Sequence, residues 1–368
     1  MYHRGLWWGG VPTDDEKMTL LAKADRIWIN EQLLYDIEGE NSAFRDELAR
    51  QLVDREGLGI SINVSNVWTR PSDYWPRQRD LFEWCLGSGA FLESLDGDPI
   101  SNWPQTRCFD PTHPGLVGAF LQHIVVPLAT HLASPPGGWS SWFLDQSEGQ
   151  ATFDAWWNRY GRIPLYAGTW RRQNLDYTEA VEAWMEGQLR LHRKIAQAVR
   201  RPLVTNGTQE PLPSTAGRFH ERVVEGIYAQ RIWAPQYPSV TFDNLLWDIS
   251  RRPNQGMVGT VWWGATEGPL WEQFVRITWG LAFVFGVGFH IRRGATYEIP
   301  IEPECPWAGL DQPGLEPGAL NLLSAVPGGA PVAVSGTIGR HRLVVNLNPI
   351  HPVEGVQPFD ADAMPIKA

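Results

Sequence analysis

Cysteine is scarce: Cys85, Cys108 and Cys305 are three residues in 368, and no two stand at C-x-x-C spacing. That excludes a disulfide-stapled scaffold and a thiolate zinc site, and the three read as buried thiols. Basic charge is also short. Against 41 Asp and Glu there are 31 Lys and Arg, a net charge of -10, so nucleic acid is not an expected partner. No apolar run is long enough to span a bilayer, and the most apolar stretch, 277–291, is broken by Gly280, Gly286, Gly288 and His290. The opening Met1-Tyr2-His3-Arg4-Gly5 lacks a basic segment leading into an apolar core. No signal peptide, membrane span or membrane partner is therefore expected, which fits a soluble protein that is cytoplasmic or released without classical export. Missing too are H-E-x-x-H, G-x-S-x-G, a Walker loop and any His/Cys cluster at metal spacing, so neither a metal nor a cofactor is expected.

What the chain has in excess is tryptophan: twenty residues, several paired or beside glycine, as in Trp7-Trp8-Gly9, Trp156-Trp157 and Trp262-Trp263-Gly264. An indole offers a broad flat face and one N–H donor, which suits stacking on the apolar face of a sugar ring, although core filling uses the same residue. Apolar residues at 43% and charged residues at 20% are otherwise those of a folded globule.

Short β-type runs alternate with helical ones. Strands are predicted at 5–9, 26–30, 59–64, 141–145, 202–206, 224–230, 258–263 and 286–291. Helices are predicted at 14–23, 42–55, 114–132, 177–200, 241–251 and 269–284, with weaker signals at 153–160 and 216–223. Most strands are apolar throughout, as expected when both faces are covered. Leu116, Phe120, Ile124, Leu128 and Leu132 recur every fourth residue, although Pro127 should kink or end their helix. Eight strand–helix rounds predict an α/β fold, a (β/α)8 TIM barrel over 1–291, with a doubly wound open sheet as competitor. Gly9-Gly10-Val11-Pro12 is not the G-x-G-x-x-G an open nucleotide-binding sheet would want. A long insertion falls at about 70–110, with a hairpin signal at Asp96-Gly97, and a second excursion at 161–176 carries Tyr166, Trp170, Arg171 and Arg172. From 292 to 368 the chain reads as a small β-rich appendage, ending in a loosely held tail from Val356.

In such a barrel the polar residues that end each strand gather at one mouth. Reading down the strands gives Trp8, Glu31, Asn63, Asp145 with Glu148, Asn206, Gln230, and Glu267 after Trp262 and Trp263. Acids, amides and indoles fit a sugar site. Glycosidic cleavage uses two carboxyl groups, one ionised at the oxocarbenium-like centre and one protonated toward the leaving oxygen. Asp145, after the apolar Trp142-Phe143-Leu144, is the candidate for the first. Glu267 is the candidate for the second, with aromatic neighbours able to raise its pKa, although it also reads as an acid at the start of a helix.

Several motifs carry a resemblance. They are Phe91-Leu92-Glu93 through Asp96-Gly97, Cys108-Phe109-Asp110-Pro111-Thr112-His113-Pro114, Trp142-Phe143-Leu144-Asp145, Val204-Thr205-Asn206-Gly207 and Leu343-Val344-Val345-Asn346. Their order resembles the glycoside-hydrolase-like TIM barrels related to the alpha-1,4-polygalactosaminidase group. The resemblance implies a hydrolase acting on a poly- or oligosaccharide, with Asp145 as the family's catalytic aspartate. It sets the family's glutamate within Glu225-Gly226-Ile227-Tyr228-Ala229-Gln230, where this chain holds Gln230 in the expected slot and Tyr228 as a binding residue. A glutamine neither donates an acid proton nor serves as a base near neutral pH. The alternative is therefore a non-catalytic carbohydrate-binding or structural barrel that has lost the second carboxylate. The sequence leaves the sugar, its linkage and the oligomeric state open.

Overall fold

Apolar β-branched and aromatic runs at regular intervals build a set of strands: β1 (Gly5–Trp8), β2 (Arg26–Asn30), β3 (Gly57–Asn63), β6 (Trp139–Asp145) and β7 (Leu203–Asn206). The computed structural model describes residues 5–8, 26–30, 57–69, 76–102, 104–132, 139–145, 150–200, 203–206, 221–225, 257–262, 267–285, 288–293, 304–310, 321–324, 326–327, 331–348, 351–358 and 360–366. The chain divides into two compact units, one formed by residues 7–14 and 25–222 and the other by 1–6, 15–24 and 223–368.

In the 25–222 unit the parallel strands β2, β3, β6 and β7 neighbour one another in chain order. The register sets Ile29, Ile60, Trp142 and Leu203 in one cross-strand row, and Ile62, Leu144 and Thr205 in the row two residues further on. Ile60, Ile62, Trp142, Leu144 and Leu203 are all buried. Between and beyond these rows the register aligns Ser61, Phe143 and Val204, then Asn63 and Asp145.

The insertion is folded. Helix α1 (Pro76–Ser88) occupies part of the stretch read as loop, with Pro76 at its first position and Gln78, Leu81 and Cys85 buried along one side. Strand β4 (Asn66–Trp68) pairs antiparallel with β5 (Thr106–Cys108), and the hairpin signal is realised as a Glu93–Pro99 bridge around Gly97, whose φ of 85° needs glycine. The next helix runs as α2 (Leu116–Phe120), a π segment (Leu121–Val125) and α3 (Val126–Leu132). Pro127 neither ends nor breaks it. The widened turn just before Pro127, where the Val126 N–H reaches the Leu121 carbonyl, accommodates the ring and the missing donor.

Helices α4 (Gln150–Tyr160) and α5 (Tyr177–Val199) share a core with the insertion, in which Leu92, Ile100 and Cys108 pack with Phe153, Trp156, Ile163, Ala180 and Trp184. Asp176 and Glu179 form a reciprocal capping box at the start of α5, and Arg200, left-handed at φ 52°, closes it. Gly187 lets α5 lie against Pro111, where an added Cβ would stand 2.6 Å from the Pro111 carbonyl oxygen.

In the 223–368 unit β8 (Glu221–Glu225), β9 (Met257–Trp262) and β10 (Gly288–Arg293) are parallel and again follow chain order. The expected appendage is a four-stranded antiparallel sheet of β11 (Asn321–Ser324), β12 (Pro331–Ile338), β13 (His341–Asn346) and β14 (Asp360–Pro365). Helix α6 (Pro269–Phe285) packs on it, with Gly280 pressed against Val345 and Ala361. The stretch read as tail is thus strand β14, paired with β13 over its whole length and tied to α6 by the bidentate Arg276–Asp360 pair at 2.8 and 3.0 Å. The fold is mixed α/β.

Candidate functional site

Two of the predicted residues end neighbouring strands side by side: Asn63 and Asp145 are register partners at the carboxyl ends of β3 and β6. On the far side of β6, Leu144 pairs with Thr205, so Asp145 and Asn206 are the next residues along each strand. Asn30 ends β2 as the register partner of Ser61. Along the strand ends, Asp145 is therefore the neighbour of Asn63 on one side and of Asn206 on the other. Trp8 ends β1. The carboxyl edge of a parallel sheet is where ligands bind in α/β proteins, because the peptide dipoles and the loops converge there.

In the 223–368 unit Trp262 ends β9 and is the register partner of Arg293 at the end of β10. The strand predicted at 286–291 continues as β10 to Arg293, so His290 lies mid-strand in a row with Gly259 and Glu225. The strand-end arginine was missed. Its signal was the continuation Ile291-Arg292-Arg293, in which the basic pair reads as a loop start. Glu267 is exposed and stands before Gly268, whose carbonyl accepts from the Glu272 N–H in the first turn of α6. That is the placement of a helix-entry acid. Glu31, Glu148, Tyr228, Gln230 and Trp263 lie outside the described residues.

A dense polar network braces the insertion behind the β3–β6 edge. The Phe109 N–H donates to the Ser65 carbonyl, just past Asn63. Asp110, fully buried, accepts from the Thr112 hydroxyl at 2.5 Å, the Thr112 N–H at 2.8 Å and the Tyr166 N–H at 3.3 Å. The Thr112 hydroxyl in turn accepts from the Ala167 N–H at 3.0 Å. Burial pushes the Asp110 carboxyl up to about 6, against the pull of its Thr112 and Tyr166 bonds and the Arg172 charge. Arg172 clamps Glu93 at 2.8 Å and donates to the Gly89 and Phe91 carbonyls at 2.9 and 2.6 Å, while Arg107 holds the other oxygen of Glu93. With no surface of its own, Asp110 is a fastening between the insertion and the 161–176 excursion.

His113 is lowered by burial and by the nearby charges of Arg172 and Arg190. Its Nδ1 accepts from the Gly115 N–H at 3.1 Å. Burial also depresses His192, to about 4, and pushes the Cys85 thiol up. Among the described residues no group of three or more His, Cys, Asp or Glu is placed to hold a metal ion, and no helix is long and apolar enough to cross a membrane.

Neither a protein-family model nor a curated protein sequence matches the chain. Solved structures match in fold. The GH36 alpha-galactosidase AgaA of Geobacillus stearothermophilus aligns with a TM-score of 0.50 and 11% identity over 99% of this chain and 54% of that one. The glycoside hydrolase domain of PelA from Pseudomonas aeruginosa aligns with a TM-score of 0.47 and 14% identity, over 81% of this chain and 97% of that domain. A cycloalternan-degrading enzyme from Trueperella pyogenes aligns with a TM-score of 0.46 and 10% identity, over 83% of this chain and 44% of that one. The chain spans about half the length of AgaA. In fold the chain is similar to the aligned part of AgaA.

Proposed function

We propose that the chain is a glycoside hydrolase-like (β/α)8 barrel that cleaves a poly- or oligosaccharide, with Asp145 as the nucleophile or stabilising carboxylate and Glu267 as proton donor. The observation that carries the reading is the register pairing of Asp145 with Asn63 at the carboxyl ends of parallel strands. An ionised carboxylate there meets the positive charge that develops at the anomeric carbon as the glycosidic bond breaks. In this reading the amides Asn63 and Asn206 donate to sugar hydroxyls, Trp8, Trp262 and Trp263 are the proposed stacking residues, and Glu31, Glu148, Tyr228 and Gln230 are the further substrate-binding residues proposed. The similarity in fold to AgaA supports barrel closure.

Two observations favour a second reading, a carbohydrate-binding barrel without hydrolysis. Gln230 stands where the resemblance expects a glutamate, and Glu267 is exposed rather than set in an apolar pocket. Reducing-sugar release from a polysaccharide panel separates the two. Under the first reading wild type releases sugar, and Asp145→Asn and Glu267→Gln each lower the rate by about 100-fold or more. Equal release by wild type and Asp145→Asn removes Asp145 from the chemistry, and polymer binding without release by any variant selects the binding barrel.

A further inference from the structure

Five described tryptophans, Trp142, Trp156, Trp184, Trp279 and Trp307, are buried and serve the core. Trp170 is at the other extreme. It is 74% exposed, the most exposed large apolar residue among those described. One exposed indole needs no explanation by itself. What surrounds this one does.

Trp170 lies in the loop 166–172, closed at its base by reciprocal hydrogen bonds between Leu165 and Gln173, at 3.2 and 2.7 Å. One arm is pinned to the insertion. The Ala167 N–H donates to the Thr112 hydroxyl and the Gly168 N–H to the Thr112 carbonyl, each at 3.0 Å. Those bonds hold Ala167 at φ 46°, a left-handed conformation that costs a residue with a Cβ about 1 kcal/mol or more. The other arm is held by the Arg172 clamp on Glu93, Gly89 and Phe91. Inside the loop the Thr169 hydroxyl lies 2.9 and 2.8 Å from the Tyr166 and Arg171 carbonyls and accepts from the Gln173 side-chain amide at 3.1 Å. Underneath, the His113 ring stands nearly perpendicular to Trp84, Tyr166 and Trp170. The fold thus maintains a strained, heavily bonded turn whose outermost large group is an indole turned to water, beside an exposed Arg171.

We propose that this loop is a carbohydrate-binding site separate from the strand-end groove, in which Trp170 stacks on one pyranose unit of a polysaccharide chain and Arg171 donates to its hydroxyls. The indole matches the apolar C–H face of a pyranose, and a platform already fixed by its own loop loses little conformational entropy when the sugar arrives. The inference rests on the carbohydrate part of the proposed function, but not on hydrolysis.

The test is affinity electrophoresis of the full chain in gels containing soluble starch, a galactan or a partly acetylated polygalactosamine, for wild type, Trp170→Ala and Trp170→Phe. At least one polymer should retard wild type. Trp170→Ala should weaken that retardation by fivefold or more, and Trp170→Phe, which keeps a ring, should retain part of it. Unchanged thermal unfolding of Trp170→Ala, expected of so exposed a side chain, makes the comparison one of binding. Equal retardation of wild type and Trp170→Ala, or retardation by none of the polymers, overturns the proposal. Should wild type bind through Trp170 yet release no reducing sugar, hydrolysis falls and the binding site stands.

Discussion

Asn63 and Asp145 end two adjacent parallel strands as register partners, an amide residue next to an acidic one. If that strand-end pair binds sugar, the amide contributes donors to the reacting unit, and Asn63→Ala should lower kcat/KM by roughly 10- to 100-fold with little change in stability. Asn63→Asp is the sharper variant. A second carboxylate at the neighbouring register position opposes ionisation of the first, so the acidic limb of the pH–rate profile should move upward by about one unit. A profile identical to wild type in both variants would separate Asn63 from the site.

Acid stability should depend on two buried groups that act in opposite directions. His192 is held down at about 4, against 6.5 for an ordinary imidazole. Its buried neutral form contributes stability that is complete above about 6.5 and is lost as pH falls toward 4, and His113, also lowered, acts with the same sign. Asp110 is held up at about 6, against 3.8. Between those values the folded state keeps a proton that the unfolded chain has released, so its contribution grows as pH falls from 6 and disappears as pH rises through 6. Each effect is worth about 3 kcal/mol over its window, so the Asp110 and His192 terms nearly cancel. Asp110→Asn removes the compensating group. Urea unfolding at pH 6.5 and pH 4.5 should therefore show the variant losing about 2 kcal/mol more than wild type. Equal losses would mean that burial does not raise Asp110.

Close backbone approach makes Gly187, the single glycine of α5, sensitive to substitution. A methyl group there would meet the Pro111 carbonyl oxygen at 2.6 Å and the Thr112 nitrogen at 2.9 Å, and neither can move without disturbing the Asp110 network. Gly187→Ala should cost about 2 to 4 kcal/mol despite the better helix propensity of alanine. Gly118 in α2 is the control, since it is exposed and an added Cβ meets nothing within 4 Å. Gly118→Ala should be neutral or stabilising by up to about 1 kcal/mol in the same thermal melts.

The legible parts of this fold were those with a local cause. An apolar run ending in a polar residue marked β6 and its terminal Asp145, and amphipathic spacing behind Asp176 marked α5. The same reading passed over α1, because Trp, Pro and Asp around 70–76 suggest a loop, although Gln78, Leu81 and Cys85 carry helical spacing. Strand β14 was hidden for a different reason. Asp360 and Asp362 look like solvent residues until Arg276 and the β13 edge are known, and both are tertiary. The Asp110 fastening depends on Tyr166, 56 residues away, and no local pattern encodes a partner at that distance.

Arg172 tests whether the insertion is held by charge alone or by geometry. Its guanidinium reaches three acceptors at once: Glu93, the Gly89 carbonyl and the Phe91 carbonyl. Lysine carries the same charge but offers one nitrogen in place of a planar fork, so it satisfies at most part of that set. With Arg172 and Glu93 only 23% and 31% exposed, the abandoned acceptors would be poorly reached by water. Arg172→Lys should therefore cost nearly as much as Arg172→Ala, about 2 to 3 kcal/mol by chemical denaturation. Because the clamp also holds one arm of the Trp170 loop, both variants should blunt polymer retardation in affinity gels along with stability. Near-wild-type stability of Arg172→Lys would show that charge, rather than the fork, secures the insertion.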